Sequence, residues 1–334
     1  MNNHKNIPVF VPHEGCPNDC VFCNQRKISG KSTFNPDAVS AEIETALSTI
    51  KDDTTTEIAF FGGSFTGIER NLMLKLLKIA SEYVYSGKVS SIRLSTRPDF
   101  IDEEILDILK ENCVSTIEIG FQSFSEDVLF ATKRGHTLED SYRSARLIKE
   151  YGFNLVGQMM TGLPMSTIEK EEFTALEICR IGAQAARIYP TVVFCDTELK
   201  KMAEEGIYTP LSLEESVYSA YRVYKIFLRH NVEVIRCGLC ASDNLFDKET
   251  VFSGGYHEAL GELVESLIFY DLITEKIKEF NGETLYLTVA KGMTSKVVGH
   301  KKENKIKLYK NYGIKKLKID ESNQLCGFDV EIKR

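Results

Sequence analysis

Residues 7–23 read IPVFVPHEGCPNDCVFC and place three cysteines on one short loop directly after an apolar run. The run, Ile7–Val11, is rich in β-branched residues and predicts a buried strand. Cys16, Cys20 and Cys23 follow in the spacing C-x3-C-x2-C. Three thiolates on one loop can hold three irons of a four-iron cubane and leave the fourth iron open to a small molecule. The loop therefore predicts a reactive iron–sulfur cluster.

A zinc site is the alternative interpretation of this loop. His13 would complete a Cys3His ligand set with the three cysteines. The chain has nine cysteines in 334 residues, an odd number that favours metal ligands and reduced thiols over a disulfide framework. Cys237 and Cys240 form a further C-x2-C pair, which we interpret as two packing thiols because an all-cysteine site needs four ligands.

The chain alternates β-rich runs with amphipathic helical stretches up to about residue 235. Repeated strand–helix units predict a parallel sheet with helices outside it. Six units give the expected fold class, α/β, with a partial (β/α)6 TIM-like barrel that Val232–Ile235 could extend. Active sites of such barrels lie at the carboxyl ends of the strands. The predicted strands are Ile7–Val11, Glu57–Phe61, Ser91–Leu94, Thr116–Ile119, Asn154–Met159 and Ala185–Tyr189.

Short motifs follow the second to the fifth predicted strand. A glycine pair lets a backbone approach a ligand closely, and an arginine fork suits a carboxylate. Each motif alone is unspecific, but their order after successive strands predicts one shared site at the carboxyl edge of the sheet. The motif residues are Gly62, Gly63 and Ser64 after strand two, Thr96 after strand three, Gln122, Ser123 and Arg134 after strand four, and Met160 after strand five.

The cysteine loop, with Phe22 before its last cysteine, and this ordered set resemble the radical S-adenosylmethionine (SAM) superfamily. The matching stretches GGSFTG, STRPD, IEIGFQS, KRGHT, MMTGLP and RIYPTVV are most similar to the radical SAM domain of the Elongator catalytic subunit. The resemblance implies a [4Fe–4S] cluster on the three cysteines, whose open iron binds SAM, and a 5′-deoxyadenosyl radical formed by reductive cleavage. It also implies an electron donor such as flavodoxin or ferredoxin. The implied SAM contacts are Phe22, Gly62, Gly63, Ser64, Thr96, Gln122, Ser123, Arg134 and Met160.

The last 52 residues differ in charge from the rest of the chain. Residues 283–334 carry a net charge of +6, whereas residues 1–282 carry −13. Within them, residues 291–318 read as helix, glycine turn, helix and strand, and resemble a KH-type RNA-binding module. Gly299-His300-Lys301-Lys302 stands in the place of its G-x-x-G loop, with Lys302 replacing the second glycine. A lysine-rich cap without a ligand is the alternative.

We therefore expect a radical SAM barrel over residues 1–235, an Elongator-like extension over 236–282 and a small basic KH-like α/β segment over 283–334. The favoured function is a radical SAM enzyme, an oxidoreductase or transferase, that modifies tRNA or another RNA bound through residues 291–318. Two alternatives stay open: a radical SAM enzyme for a small metabolite or peptide, in the manner of anaerobic coproporphyrinogen oxidases, and a non-catalytic RNA-binding protein with a zinc loop.

Three further expectations follow from the sequence. The 334 residues leave no room for the Elongator acetyltransferase domain, so acetyl-CoA-dependent carboxymethylation is not implied. No apolar run is long enough to span a membrane and the start lacks a signal-peptide pattern, which predicts a cytoplasmic protein without a membrane partner. Tyr189 and Asp196 lie near the end of the sixth strand, where a substrate would lie, but no catalytic acid or base stands out.

Overall fold

A computed structural model describes residues 4–11, 16, 20–23, 34–51, 54–239, 249–278 and 280–333. Seven strands form one parallel sheet in the order of the chain, which curls into a half-barrel. The predicted partial barrel is confirmed, and a seventh strand extends it by pairing with the sixth. These strands are β1 (His4–Phe10), β2 (Thr55–Phe61), β3 (Ser91–Thr96), β4 (Val114–Gln122), β5 (Asn154–Thr161), β6 (Ala185–Pro190) and β8 (Glu233–Cys237). A short antiparallel pair joins β7 (Val192–Phe194) to β9 (Val251–Gly254).

Helices connect the strands and cover the outer face of the sheet. Side-chain caps fix where several begin: Asp102 accepts from the Ile105 amide, and Thr137 and Ser212 each form a capping box. No helix in the described ranges is long and apolar enough to cross a membrane. The helices are α1 (Val39–Leu47), α2 (Arg70–Tyr85), α3 (Glu103–Glu111), α4 (Glu126–Ala131), α5 (Leu138–Glu150), α6 (Ile168–Arg180), α7 (Glu198–Glu204), α8 (Leu213–Arg229) and α9 (Leu260–Lys276).

The chain ends in a small three-stranded unit. Its strand β10 (Thr284–Ala290) lies between the parallel β11 (Lys316–Ser322) and the antiparallel β12 (Val330–Lys333). The helices α10 (Thr294–Val298) and α11 (Glu303–Tyr312) connect β10 to β11. The order helix, glycine turn, helix, strand therefore agrees with the order expected from the sequence.

Helix α9 belongs to two hydrophobic cores at once. Its first half buries Leu260 and Val264 in the core of the barrel. Its second half buries Phe269 and Ile273 in the core of the C-terminal unit. The two parts are therefore joined by continuous apolar packing along one helix.

The two faces of the curved sheet differ in chemistry because side chains alternate along each strand. In β4, Ile117 and Ile119 pack beneath the helices, whereas Glu118 points to the opposite, inner face. Glu118 is 1 % exposed and accepts hydrogen bonds from Arg93 at 3.0 Å and from Arg187 at 2.7 and 3.0 Å. The inner face is thus held together by ion pairs between strands.

The network extends to β2 through Glu57. Arg93 Nε donates to Glu57 Oε2 at 2.8 Å, and the Ser91 hydroxyl donates to Glu57 Oε1 at 2.6 Å. Burial raises the pKa of Glu57, but the Ser91 hydrogen bond and the charge of Arg93 outweigh burial and lower it. Glu57, Arg93, Glu118 and Arg187 therefore form a charge-balanced layer across four strands.

Replacing Glu118 by alanine should destabilise the protein by about 3–5 kcal/mol, because the two half-buried guanidinium groups of Arg93 and Arg187 lose their shared, fully buried partner. The free energy of unfolding of the metal-free chain, measured in urea, checks this. Glu44→Ala is the control, since Glu44 makes an exposed pair with Lys88 and its loss should have little effect. Equal losses in the two variants would contradict a structural role for the layer.

Candidate active site

The cysteine loop is anchored to the barrel from two sides. The Val21 amide donates to the Thr132 carbonyl at 3.1 Å, and the Leu199 amide donates to the Val21 carbonyl at 2.8 Å. Val21 is buried against Val193 and Leu199, and Phe22 packs on the same cluster. The segment from Cys20 to Cys23 is therefore held between the end of α4 and the start of α7.

The three cysteines differ in exposure. Cys20 is buried, whereas Cys16 and Cys23 are half-buried, and the Cys23 amide donates to the Cys20 carbonyl at 2.9 Å. Among the described residues, no group of three or more His, Cys, Asp or Glu side chains is already arranged to hold a metal ion. His13 and Cys240 lie outside the described residues, so the Cys3His zinc site and the second cysteine pair are not tested.

The glycine pair after β2 packs closely on the first strand. Gly62 has a φ of 114°, and a Cβ added there would lie 2.8 Å from the Val11 carbonyl oxygen. Only glycine fits this turn without strain. Ser64 follows Gly63 and is buried, and its Oγ has no hydrogen-bond partner among the described residues.

The turn after β3 separates two side chains with different roles. Thr96 Oγ1 is 2.6 Å from Thr66 Oγ1, so the Thr96 side chain is bonded on the helix side of the sheet. Arg97 is 1 % exposed, and its Nε and Nη2 donate to Asp99 at 2.9 and 2.8 Å. The third nitrogen, Nη1, has no partner in the described part of the chain.

The end of β4 is irregular at Gln122. The register with β5 shifts between Gly120 and Gln122, and Gln122 has a φ of 64°. Gln122 is buried, and its Oε1 lacks a hydrogen-bond partner within the described ranges. Ser123 Oγ accepts from the Ser125 amide at 3.1 Å, which fixes the loop that follows.

Arg134 connects this strand end to the cysteine loop. Its Nη2 donates to the Gly120 carbonyl at 2.9 Å, and its Nη1 donates to Cys20 Sγ at 3.6 Å. A Cβ at Gly120 would lie 3.0 Å from Arg134 Nη2, so the absence of a side chain there makes room for the guanidinium. A residue far along the sequence is thus brought against a predicted metal ligand.

The end of β5 carries one methionine on each face. Met159 is fully buried in the core beneath the helices, and the half-buried Met160 alternates with it on the inner face. The Tyr208 hydroxyl donates to the Gly162 carbonyl at 2.6 Å, so the apolar cluster under the cysteine loop is tied to this strand end. Met160 therefore lies on the same face as the ion-pair layer.

Two residues expected near a substrate lie in different places. Tyr189 alternates with the buried Ile188 on β6 and hydrogen-bonds Arg187 of the ion-pair layer. Asp196 instead lines an open groove beside α7, together with Lys200 and Glu204. Only Tyr189 is on the inner face of the barrel.

Sequence reasoning missed Arg97 and His136, although both lie inside recognised motifs. His136 is buried, and neither ring nitrogen has a partner among the described residues. Burial, and after it the positive charge of Arg134, lowers its pKa to about 3, so the imidazole is neutral. The charged residue directly after a strand in STRPD was a usable signal for Arg97, since Pro98 fixes the chain there.

The basic loop of the C-terminal unit has an unusual backbone. Gly299 has a φ of 83°, and Lys301 and Lys302 have φ values of 49° and 65°. Lys302 thus adopts, at the position of the missing second glycine, the left-handed conformation that glycine favours. The ring centroid of His300 is 5.6 Å from that of His257, which precedes α9. The loop is therefore packed against the barrel's extension.

Comparison with known proteins agrees with this architecture. The radical SAM superfamily model matches residues 10–176, and the radical SAM C-terminal domain model matches residues 183–268. The structure of archaeal Methanocaldococcus infernus Elp3 with an N-terminal deletion superposes with a TM-score of 0.63 at 22% identity, over 85% of this chain and 65% of that one. At this identity the likeness shows the fold.

Two sequence relatives share only parts of their length with this chain. Human Elongator complex protein 3 is 34% identical over 188 residues, which are 50% of this chain and 34% of the human protein. The tRNA uridine(34) acetyltransferase of Methanocaldococcus infernus is 32% identical over 127 residues, which are 37% of this chain and 24% of that enzyme. The chain therefore matches less than half of either relative. The radical SAM superfamily model alone covers half of this chain. The chain therefore belongs to the radical SAM superfamily of enzymes, with an Elongator-like radical SAM domain.

Proposed function

We propose that this enzyme holds a [4Fe–4S] cluster on Cys16, Cys20 and Cys23, cleaves SAM reductively and modifies RNA, with tRNA as the first candidate. One observation carries the proposal for SAM. Buried polar atoms after three successive strands have no hydrogen-bond partner among the described residues: Ser64 Oγ, Arg97 Nη1 and Gln122 Oε1. Each would cost about 1–3 kcal/mol if left unsatisfied, so a polar ligand at this edge accounts for them.

The residues at this edge fit SAM and a cluster chemically. The paired glycines and Ser64 would receive the amino group, and Gln122 and Ser123 would contact the ribose. Arg134 would lie beside both the cluster and the SAM carboxylate, since these share one iron in the family. Thr96 would contribute through its backbone, because its side chain is bonded to Thr66.

The remaining contacts would be apolar. Met160 would pack on the adenine, and Phe22 would cover the cluster beside Cys23. Once bound, the cluster would supply the electron that splits SAM into methionine and a 5′-deoxyadenosyl radical. The cysteines would draw together on metal binding, as is usual where ligands sit on a loop. Apolar cover from Val21 and Phe22 would exclude water from this chemistry.

Support for an RNA substrate is of two kinds. The archaeal relative bears a name that describes an enzyme acting on tRNA. The basic loop, His300 to Lys302, precedes α11 and is held on the barrel's extension by His257. Lysines attract phosphates without reading sequence, which suits a loop that holds an RNA backbone.

Anaerobic reconstitution with iron and sulfide, followed by reduction in the presence of SAM, should yield 5′-deoxyadenosine. Cys20→Ala should reduce it to background because one thiolate ligand is lost, whereas Cys179→Ala, a half-buried cysteine on α6, should leave it unchanged. Chromatography of the products with and without bulk tRNA makes the measurement. Stoichiometric zinc and no iron in the wild-type protein would show that the loop is a zinc site.

Bulk tRNA should bind more weakly, and with a smaller salt dependence, when Lys301 and Lys302 are both replaced by asparagine. Asparagine tolerates the left-handed backbone, so the loop should keep its shape. The slope of log K against log salt should fall by about 1.4–1.8 for two lost phosphate contacts. The control replaces Lys75 and Lys88, two ion-paired lysines on the barrel, by asparagine. Equal slopes for the two double variants would argue against this loop as the RNA site.

A further inference from the structure

The two faces of the three-stranded sheet in the C-terminal unit differ in chemistry. Leu285 and Leu287 of β10 are buried in one core with Phe269 of α9 and Leu308 of α11, so the helices cover this face. Tyr286 lies between the two leucines along the strand, and its side chain therefore points to the opposite face. It is 39 % exposed there. A large aromatic side chain is thus presented on the central strand, on the side away from the helices.

Two lysines stand beside Tyr286 on this face. In the parallel pairing of β10 with β11, Thr284 is opposite Lys316 and Tyr286 is opposite Lys318. Residues opposite each other in register share a face of the sheet, and both lysines are exposed. Lys318 Nζ lies 4.9 Å from the centroid of the Tyr286 ring and 3.4 Å from its hydroxyl oxygen. We call the surface formed by Tyr286, Lys316 and Lys318 the tyrosine face.

The acidic residues on this side of the sheet lie toward its other end. Asp320 of β11 and Glu331 of β12 are both opposite Thr288, which follows Tyr286 by two residues in β10. The beginning of β10 is therefore the basic half of the surface. Residues 283–334 as a whole carry a net charge of +6, so the field of the unit favours an anionic ligand.

Protection of a sheet edge would explain the lysines alone. The strand β11 is at the edge of its sheet, and lysines on an edge strand discourage pairing with another chain. Tyr286, however, belongs to the central strand, where edge protection gives no reason for an exposed aromatic ring. Nucleobases stack on aromatic side chains of sheets, and basic side chains next to them attract the phosphates. The combination on one face therefore favours a nucleic-acid ligand.

We propose that the tyrosine face binds a single-stranded segment of RNA, with one base stacked on Tyr286 and the flanking phosphates on Lys316 and Lys318. The inference rests on the proposed RNA substrate and adds a second contact to it, since the basic loop joins α10 to α11 on the helix side of the unit. Stacking needs an accessible base, so this face should prefer a single strand to a duplex. It should read little sequence, because every base has a π-face.

The chain contains no tryptophan, so Tyr286→Trp creates a single fluorescent reporter at the site. In the full-length protein, an oligouridylate of about ten nucleotides, within the span of a single-strand binding module, should quench this fluorescence because a base stacks on the indole. A blunt RNA duplex of the same length should quench it much less. Tyr85→Trp, at an exposed position of α2, is the matched control and should keep its fluorescence.

Affinity for the same oligouridylate provides the second measurement. Tyr286→Leu should weaken binding by at least about fivefold, whereas Tyr286→Phe keeps the ring and should bind like the wild type. Replacing Lys316 and Lys318 together by glutamine should reduce the slope of log K against log salt by about 1.4, for two lost phosphate contacts to a single strand. The control replaces Lys75 and Lys88, which are ion-paired on the barrel, by glutamine. Circular dichroism checks that each variant folds.

The outcomes separate this inference from the proposed function. A wild-type protein that binds neither the oligouridylate nor bulk tRNA removes the RNA substrate itself, before any variant is compared. If RNA binds but Tyr286→Leu binds it like the wild type, the tyrosine face is overturned while the RNA substrate stands. Equal losses in Tyr286→Leu and Tyr286→Phe would show that the ring does not stack a base, and overturn it as well. Should Tyr286→Leu fail to fold, Tyr286→Trp decides: quenching by the single strand supports the site, and unchanged fluorescence at saturating RNA assigns this face to another partner.

Discussion

The ion pairs of Glu118 with Arg93 and Arg187 are the interaction on which the half-barrel depends. A parallel sheet between two apolar layers would be buried on both faces, but here the helices cover only the outer one. The inner face must satisfy its polar groups by itself, and Glu118 does so by accepting from arginines on both sides. Because the pairs run across the strands, they link β4 to β3 and, over β5, to β6. The ends of those strands are thereby held in place for the residues that follow them.

The site above this layer is built on a different principle. At the strand ends, Ser64 Oγ, Arg97 Nη1 and Gln122 Oε1 are buried without a partner among the described residues, whereas Glu57 and Glu118 in the layer below them are paired. An unsatisfied group is tolerated only where stability elsewhere compensates for it, and the ion pairs and the outer apolar core provide that stability. At the cysteine loop, two backbone hydrogen bonds hold Val21, which lies between the predicted ligands Cys20 and Cys23. The ion-pair layer thus stabilises the barrel, and the strand ends above it carry the residues of the candidate site.

The sequence contained most of the fold, since its alternation of strands and helices follows directly from hydrophobic patterning. Glu57–Phe61 was expected as a strand and β2 covers Thr55–Phe61. The ion-pair layer could not be predicted from the sequence, because Glu118 and Arg187 are 69 residues apart. Only the folded sheet brings them together. A single charged residue inside each apolar strand was the available signal.

The edge of the sheet at which the motif residues lie was predictable, whereas the orientation of their side chains was less so. Motifs after successive strands do meet at one edge, as the parallel order requires. Thr96 shows the limit, because position after a strand does not say which face a side chain takes, and its hydroxyl bonds Thr66 on the helix side. The left-handed backbone at Lys302 could not be predicted from the sequence either, since lysine rarely adopts this conformation. Pairing and backbone conformation therefore need the structure, whereas order along the chain does not.

The C-terminal unit is attached to the barrel by packing. Asn304 is buried and donates to the Ser266 carbonyl of α9 at 2.7 Å and to the Val297 carbonyl at 3.2 Å. A Cβ at Gly299 would lie 2.9 Å from the Asn304 amide nitrogen. The turn at the start of the basic loop therefore packs closely against Asn304. The loop is thus set relative to α9, and α9 is set relative to the barrel core. The basic loop is consequently joined to the barrel by continuous packing through Asn304 and α9.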